Sequence, residues 1–235
     1  GSSGTQSISY VDVQDNDASG GMALIGNTST DSGNNTNWSF PVIPDVYGHV
    51  YSDEGVTPIG AGSGVSLSIN GAADAKTVYT DASGAFSFTG VTIAKGDVLT
   101  IYLEDETADA VTVTVASGAT AMTGVNLFQN RLIVRHETGG TVTSTHLDTA
   151  NNVVDTDISA IYTMSSLNTT IVNGKTLYIW TGSTLNLGGT LSVGTSGATS
   201  ELHLNGNLTQ NNNEITVYGP YTQSGGTFTG SSGES

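Results

Sequence analysis

The sequence predicts an all-β protein: a seven-stranded β-sandwich flanked by β-solenoid (β-helix-like) segments. Three observations predict it. Only 11% of the 235 residues are charged, while Gly alone numbers 31. That composition suits short strands and tight turns and suits helices badly, because Ser, Thr and Asn compete for backbone hydrogen bonds and Gly loses most entropy on ordering. Short alternating apolar runs recur roughly every ten residues between turn signals. No window of ten or more residues places apolar side chains at helical spacing among helix-forming neighbours, so helix content should be close to nil.

The segment 1–43 holds one clear strand, Ser7–Val13, in which Ile8 and Tyr10 alternate with Val11 and Val13. It is followed by Asp-, Asn- and Gly-rich stretches and a connector with Trp38 and Phe40 between prolines. This strand reads as the end of a preceding solenoid or as a donated strand, with Ile8, Tyr10, Val11 and Val13 as its assembly residues. The loop after it carries the densest oxygen-ligand set, Asp12, Asp15 and Asp17, with Asp31 further on. Ca²⁺ takes about six to eight oxygens on a flexible loop, so these four are the candidate ligands of a structural Ca²⁺. Their spacing fits neither the EF-hand nor the Gly-Gly-x-Gly-x-Asp repeat, and a plain turn-rich loop accounts for them equally. No other cofactor is expected.

The segment 44–127 supplies the seven sandwich strands: Val46–Tyr51, Val65–Ile69, Thr77–Thr80, Ala85–Thr89, Val98–Leu103, Val111–Val115 and Gly124–Leu127. Asp81 is placed to bond a turn backbone, Gly84 to supply a left-handed residue, and Phe86 and Phe88 to face the core. The run Gly48-His49-Val50-Tyr51, then Gly55, Pro58-Ile59 and Val65–Ile69, then Thr80-Asp81 through Gly84 to Phe86 and Phe88, resembles the carboxypeptidase-regulatory-like (transthyretin-like) domain. The resemblance implies a small sandwich serving as spacer, stalk or interaction unit.

In 128–235 a repeat emerges. The segments 184–193, 201–210 and 214–223 each alternate apolar residues and then reach a glycine, Gly189, Gly206 and Gly219. Thr184 to Glu201 is an offset of 17 residues, and Glu201 to Glu214 one of 13. The expectation is one coil per segment, with Leu185, Leu202 and Ile215 in one internal ladder and Leu187, Leu204 and Val217 in another. A hairpin meander is the alternative. The whole combination broadly resembles large secreted bacterial adhesins and surface-fibre proteins.

The charge bounds the partners. Twenty-one acids against five Lys and Arg leave a formal charge of −16, which excludes nucleic acid and anionic membrane as ready partners. No apolar run is long enough to span a bilayer. There is no cysteine and no signal peptide at Gly1–Gly4, which with the composition favours a prokaryotic extracellular or cell-surface protein. Hydrolase and nucleotide-binding motifs are missing, and His146 with Asp148, two apart on one strand face, reads as a solvated strand end. Lys76, Lys95 and Lys175 raise the chemistry of a Lys–Asn or Lys–Asp crosslink, but Lys95 lies in a turn and Lys76 flanks a strand, so ordinary surface lysines are the stronger expectation. The expected function is therefore non-catalytic: a subunit or repeat of a self-assembling surface filament, binding itself head to tail. The alternative is an adhesin stalk or carbohydrate-binding module that meets cell-surface glycans through Tyr178, Trp180, Tyr218 and Tyr221.

Overall fold

The computed structural model describes residues 8–27, 29–40, 46–73, 76–118 and 121–231. The protein is all-β, with 44% strand and 6% helix.

The chain opens with five short strands: β1 (Ile8–Ser9), β2 (Asp12–Gln14), β3 (Leu24–Asn27), β4 (Thr30–Gly33) and β5 (Trp38–Ser39). All their pairings are parallel. One ladder runs β1–β3–β5, a second β2–β4, and a bridge joins Asp17 to Thr36. Ile8 pairs with Gly26 and Asp12 with Thr30, 18 residues on in each case, so the chain returns to the same positions once per circuit. The single strand expected over Ser7–Val13 is corrected. Ser7 lies outside the described residues, and Tyr10 takes φ 57°, a left-handed corner that divides the run into β1 and β2. Val13 is buried and Ile8 half-buried, whereas Tyr10 and Val11 are exposed. Trp38 stacks on Phe40 at 5.6 Å; the remainder of the expected connector, Pro41, Val42, Ile43 and Pro44, lies outside the described residues.

Seven strands follow: β6 (Val46–Tyr51), β7 (Gly64–Ile69), β8 (Lys76–Tyr79), β9 (Ala85–Phe88), β10 (Val98–Glu104), β11 (Val111–Val115) and β12 (Leu127–Phe128). Six lie within one residue of their expected bounds, and β12 is shorter and displaced from Gly124–Leu127. β6 sits between β9 and β12, while β8, β7, β10 and β11 pair antiparallel in that order. Val50, Phe88 and Leu127 from the first group meet Leu67, Leu99 and Ile101 from the second in one apolar core. The expected turn is present: Asp81 Oδ1 accepts from the amides of Ser83 (2.8 Å) and Ala85 (3.0 Å), and Gly84 has φ 75°.

The remaining strands are β13 (Arg131–His136), β14 (Thr141–Thr143), β15 (Tyr162–Ser165), β16 (Asn168–Ile171), β17 (Thr176–Ile179), β18 (Thr184–Asn186), β19 (Leu191–Val193), β20 (Glu201–Leu204), β21 (Asn207–Thr209), β22 (Ile215–Val217), β23 (Tyr221–Gln223) and β24 (Phe228–Thr229). They form three parallel ladders, β13–β17–β20–β23, β14–β18–β21–β24 and β16–β19–β22, which the chain visits in cyclic order; β15 pairs antiparallel with β16. The expected side-chain ladders are corrected by this register. Leu185 lies between Val142 and Leu208, Leu202 between Leu177 and Tyr221, and Leu204 between Ile179 and Gln223. Ile215 pairs with Leu191 and Val217 with Val193, while Leu187 is buried in the same core. The segments 184–193, 201–210 and 214–223 are thus three different corners of the circuit, not the same corner in three coils.

The first ladder does not stop at residue 128. β11 pairs with β10 on one side and with β13 on the other, so one sheet runs β23-β20-β17-β13-β11-β10-β7-β8. Its strands serve two cores by period-2 alternation. Leu99, Ile101 and Leu103 of β10 enter the core already described, whereas Val98 and Tyr102 enter a second one with Val113, Leu132 and Leu185.

The expectation of almost no helix misses two short ones, α1 (Ser144–Asn151) and α2 (Thr156–Ser159), between β14 and β15. α1 buries only Ser144, Leu147 and Ala150, an apolar stripe too short to register in a longer window. His146 and Asp148 accordingly sit on a helix, where residues two apart do not share a face. A capping box starts α1: Thr143 Oγ1 accepts from the His146 amide (3.4 Å), and His146 Nδ1 accepts from the Thr143 amide (3.2 Å). Burial first, and His136 second, hold the His146 pKa below its ordinary value. A depressed folded-state pKa contributes stability above the unfolded value, which is lost as pH falls through the folded one. Protonated Nδ1 can no longer accept. Protection factors at the start of α1 should therefore fall between about pH 7 and about pH 5, and His146→Gln, which keeps a cap acceptor, should remove that dependence in hydrogen exchange.

Candidate functional site

The most distinctive surface lies at the C-terminal end of the three ladders. Side chains that point into the circuit are sealed by the next coil until the stack runs out. Leu202 is 2% exposed, but Tyr221, its partner in the following strand, is 50% exposed; Leu208 is buried, and its partner Phe228 is 47% exposed. These two rings, with Leu202, Ile215, Val217 and Gln210, line an apolar groove of about 360 Å³. β22, β23 and β24 are the terminal strands of their ladders among the described residues, so each presents one backbone edge without a strand partner there. Coil length changes along the way. Leu177, Leu202 and Tyr221 are 25 and then 19 residues apart, and 19 is also the Asp17–Thr36 spacing at the other end of the chain.

The expected metal ligands do not converge. Asp12 takes a hydrogen bond from the Ser32 hydroxyl, Asp15 from Asn34 Nδ2 (2.9 Å), Asp17 from the Ser19 amide (2.8 Å) and Asp31 from the Gly33 amide (3.0 Å). Two of these bonds cross from one circuit to the next, so the carboxylates act as polar rungs between coils. The Ser19 hydrogen bonds hold the Asp17 pKa below the usual carboxylate range. Among the described residues, the acids that do meet are Glu104, Asp105 and Asp157. Burial, and then the nearby Asp155, push the Asp157 pKa up, although the Asp105 amide donates to its Oδ2 at 2.8 Å.

The four aromatic candidates separate into two pairs. Tyr178 is buried, edge-on to Phe128 at 5.6 Å, and accepts from Asn205 Nδ2 at 2.9 Å; Trp180 is half-buried against the same cluster. Neither is a platform for a ligand. Tyr218 and Tyr221 are exposed, but Tyr221 belongs to the groove at the end of the stack. A second groove, about 560 Å³, was not anticipated. It runs over the outer face of β6 and β9 between Tyr47 and Tyr79, with His49 and Asp81 beside a floor of Ala85 and Ser87. Hydrogen bonds from Ser83 and Ala85 hold the Asp81 pKa low.

Sequence reasoning also missed His203. Its Nε2 lies 2.8 Å from Ser224 Oγ and its Nδ1 3.1 Å from Glu54, which in turn pairs with Arg131 at 3.1 Å. The atoms have the order of a nucleophilic triad, but the amides of Ser224 and Gly225 both donate to the Leu204 carbonyl (2.9 and 3.2 Å). Neither is free to stabilise an oxyanion. What the contact does is tie the β6–β7 loop to β20 and the turn after β23. The chain matches no protein family, no curated protein and no solved structure.

Proposed function

We propose that this chain is a non-catalytic structural unit of an extracellular filament, in which another copy of the unit supplies the next coil of the stack. In this reading the parallel ladders at both ends are β-solenoid segments, and residues 46–128 between them form a β-sandwich of the transthyretin-like kind. The observation that supports it is the loss of cover along each ladder, from buried Leu202 and Leu208 to exposed Tyr221 and Phe228. The common 19-residue circuit at the two ends makes β1 and β2 of a second copy the fitting continuation. Such a contact joins unlike surfaces, and so builds chains rather than closed dimers.

Electron microscopy of concentrated protein tests the reading. Fibres with an axial repeat of one unit are expected, and Tyr221→Asp with Phe228→Asp should disperse them. Single particles at high concentration with both ends ordered would sink the filament. A chelator should leave the fibres intact, because the Asp12, Asp15, Asp17 and Asp31 oxygens are already bonded within the fold. The competing reading, glycan binding, is supported by the Tyr47–Tyr79 groove. Glycan-array signal lost in Tyr79→Ala, without fibres, would favour it.

A further inference from the structure

We propose that Lys175 and Asn130 form an intramolecular isopeptide bond, with Asp109 as the acid that moves the proton. The three residues stand at the entrance to three adjacent parallel strands: Asp109 precedes β11, Asn130 precedes β13 and Lys175 precedes β17. Lys175 Nζ lies 2.8 Å from Asn130 Oδ1 and 2.9 Å from Asp109 Oδ2. With the amine at hydrogen-bond distance from the amide oxygen, the carbonyl carbon is within the separation of a near-attack arrangement, about 3–3.5 Å.

The backbone fixes that arrangement. The Asn130 amide donates to the Asp109 carbonyl (2.7 Å), the Thr176 amide donates to the Asn130 carbonyl (3.0 Å), and the Lys175 amide donates to the Val172 carbonyl (3.1 Å). Asn130 sits in the left-handed region at φ 62°. Water is largely kept from the ion pair, whose side chains are 16% and 19% exposed at Lys175 and Asp109. Pairing in so dry a place allows the proton to pass from ammonium to carboxylate, leaving a neutral amine facing the amide.

The step balances without an oxidant or co-reactant. The Lys175 amine adds to Asn130 Cγ, forming the C–N bond while the Asp109 carboxyl hydrogen-bonds the developing oxyanion. The same carboxyl then delivers its proton to the departing amide nitrogen. The Asn130 Cγ–Nδ2 bond breaks, ammonia leaves and takes up the proton remaining from the ammonium, and Asp109 returns to its carboxylate. One turnover suffices, so a slow reaction completes over the life of the protein, and loss of ammonia makes it irreversible. The product would fasten β13 to β17 by a covalent rung at the point where the sheet passes from one core's strands to the coil stack. The other lysines lack this setting: Lys76 Nζ donates to the Thr89 carbonyl.

Intact-mass spectrometry of the purified chain, aged at physiological temperature, tests the proposal. The expected mass is below that of the sequence by one ammonia, about 17 Da, and digestion should yield a branched peptide joining residues 130 and 175. Lys175→Arg and Asp109→Ala should each restore the full mass, with circular dichroism confirming that they fold. An unchanged mass in the folded wild type overturns the proposal, whatever the variants do. So does a loss of the same size confined to Asn130 with Lys175 free, which is a succinimide. A loss of one water with Lys175 joined to Asp109 would equally overturn the assignment of Asn130.

Discussion

Gly206→Ala should cost on the order of 3 kcal/mol in a urea melt, whereas Gly188→Ala, eighteen residues earlier, should be close to neutral. A Cβ on Gly206 would stand 2.2 Å from the Trp180 carbonyl oxygen and 2.5 Å from that of Ser183, both in the preceding coil. Backbone cannot step aside as a side chain can, so the coils must separate or the corner must deform. Gly189 and Gly219 meet the same obstacle, at 2.6 Å from the Leu167 oxygen and 2.2 Å from the Ser200 oxygen. The added methyl at Gly188 instead finds Leu167 Cδ1 at 3.4 Å, an ordinary contact with a flexible group. The corner glycines are therefore required by the closeness of successive coils and not by a left-handed φ. Equal tolerance at positions 188 and 206 would show that the coils do not touch in this way.

Ile101→Ala should lower stability by about 2–5 kcal/mol, the usual range for emptying a fully buried aliphatic site. The loss should be felt on both sides of the sheet. Ile101 belongs to the core of Leu67 and Phe88, but its neighbours Thr100 and Tyr102 on the same strand face the other core. Tyr102 is itself buried, with burial first and Asp155 second raising its pKa well above the usual phenol value, and its hydroxyl lies 3.4 Å from Asp155 Oδ2 at the N-terminus of α2. Because β10 cannot leave one core without leaving the other, residues 46–231 should melt as one unit. Trp180 emission in a Trp38→Phe background reports from the coil side. It should shift to the same lowered midpoint as the calorimetric transition, and a second, unshifted transition would show that the shared sheet does not couple the cores.

The strands between Val46 and Val115 were legible because each has period-2 alternation bounded by turn residues, which backbone geometry alone converts to position. Coil register was not. All three sides of the circuit need the same local pattern, alternating apolar residues and then a glycine where the coils approach, so segments from different sides resemble one another as closely as segments from the same side. Residues 144–159 obscured the period further by inserting two helices into one circuit. The division expected at 127/128 falls where β11 and β13 pair, a contact between segments that no spacing rule connects. Tyr10 illustrates a different limit: nothing in an alternating Ser-Ile-Ser-Tyr-Val-Asp-Val run signals a left-handed corner at a non-glycine. Convergences across long separations were equally hidden. Lys175 reaches Asp109 over 66 residues and Asn130 over 45, and only the order of strands in the sheet brings them together. The Asp12, Asp15, Asp17 and Asp31 set misled for the converse reason. Closeness in sequence placed these acids on successive corners, where each bonds the coil beside it and not a shared centre.

Parallel stacking also gives the molecule a polarity. Every rung from β13 to β23 runs the same way, and the chain climbs the ladders in one rotational order, so the two ends of a stack are chemically unlike even when their coils have equal length. Two C-terminal ends brought face to face would have to pair antiparallel, with their corners out of step. The top of one stack and the foot of another preserve both direction and order. A polymer of this unit therefore has an arrow, with a growing tip distinguishable from its base.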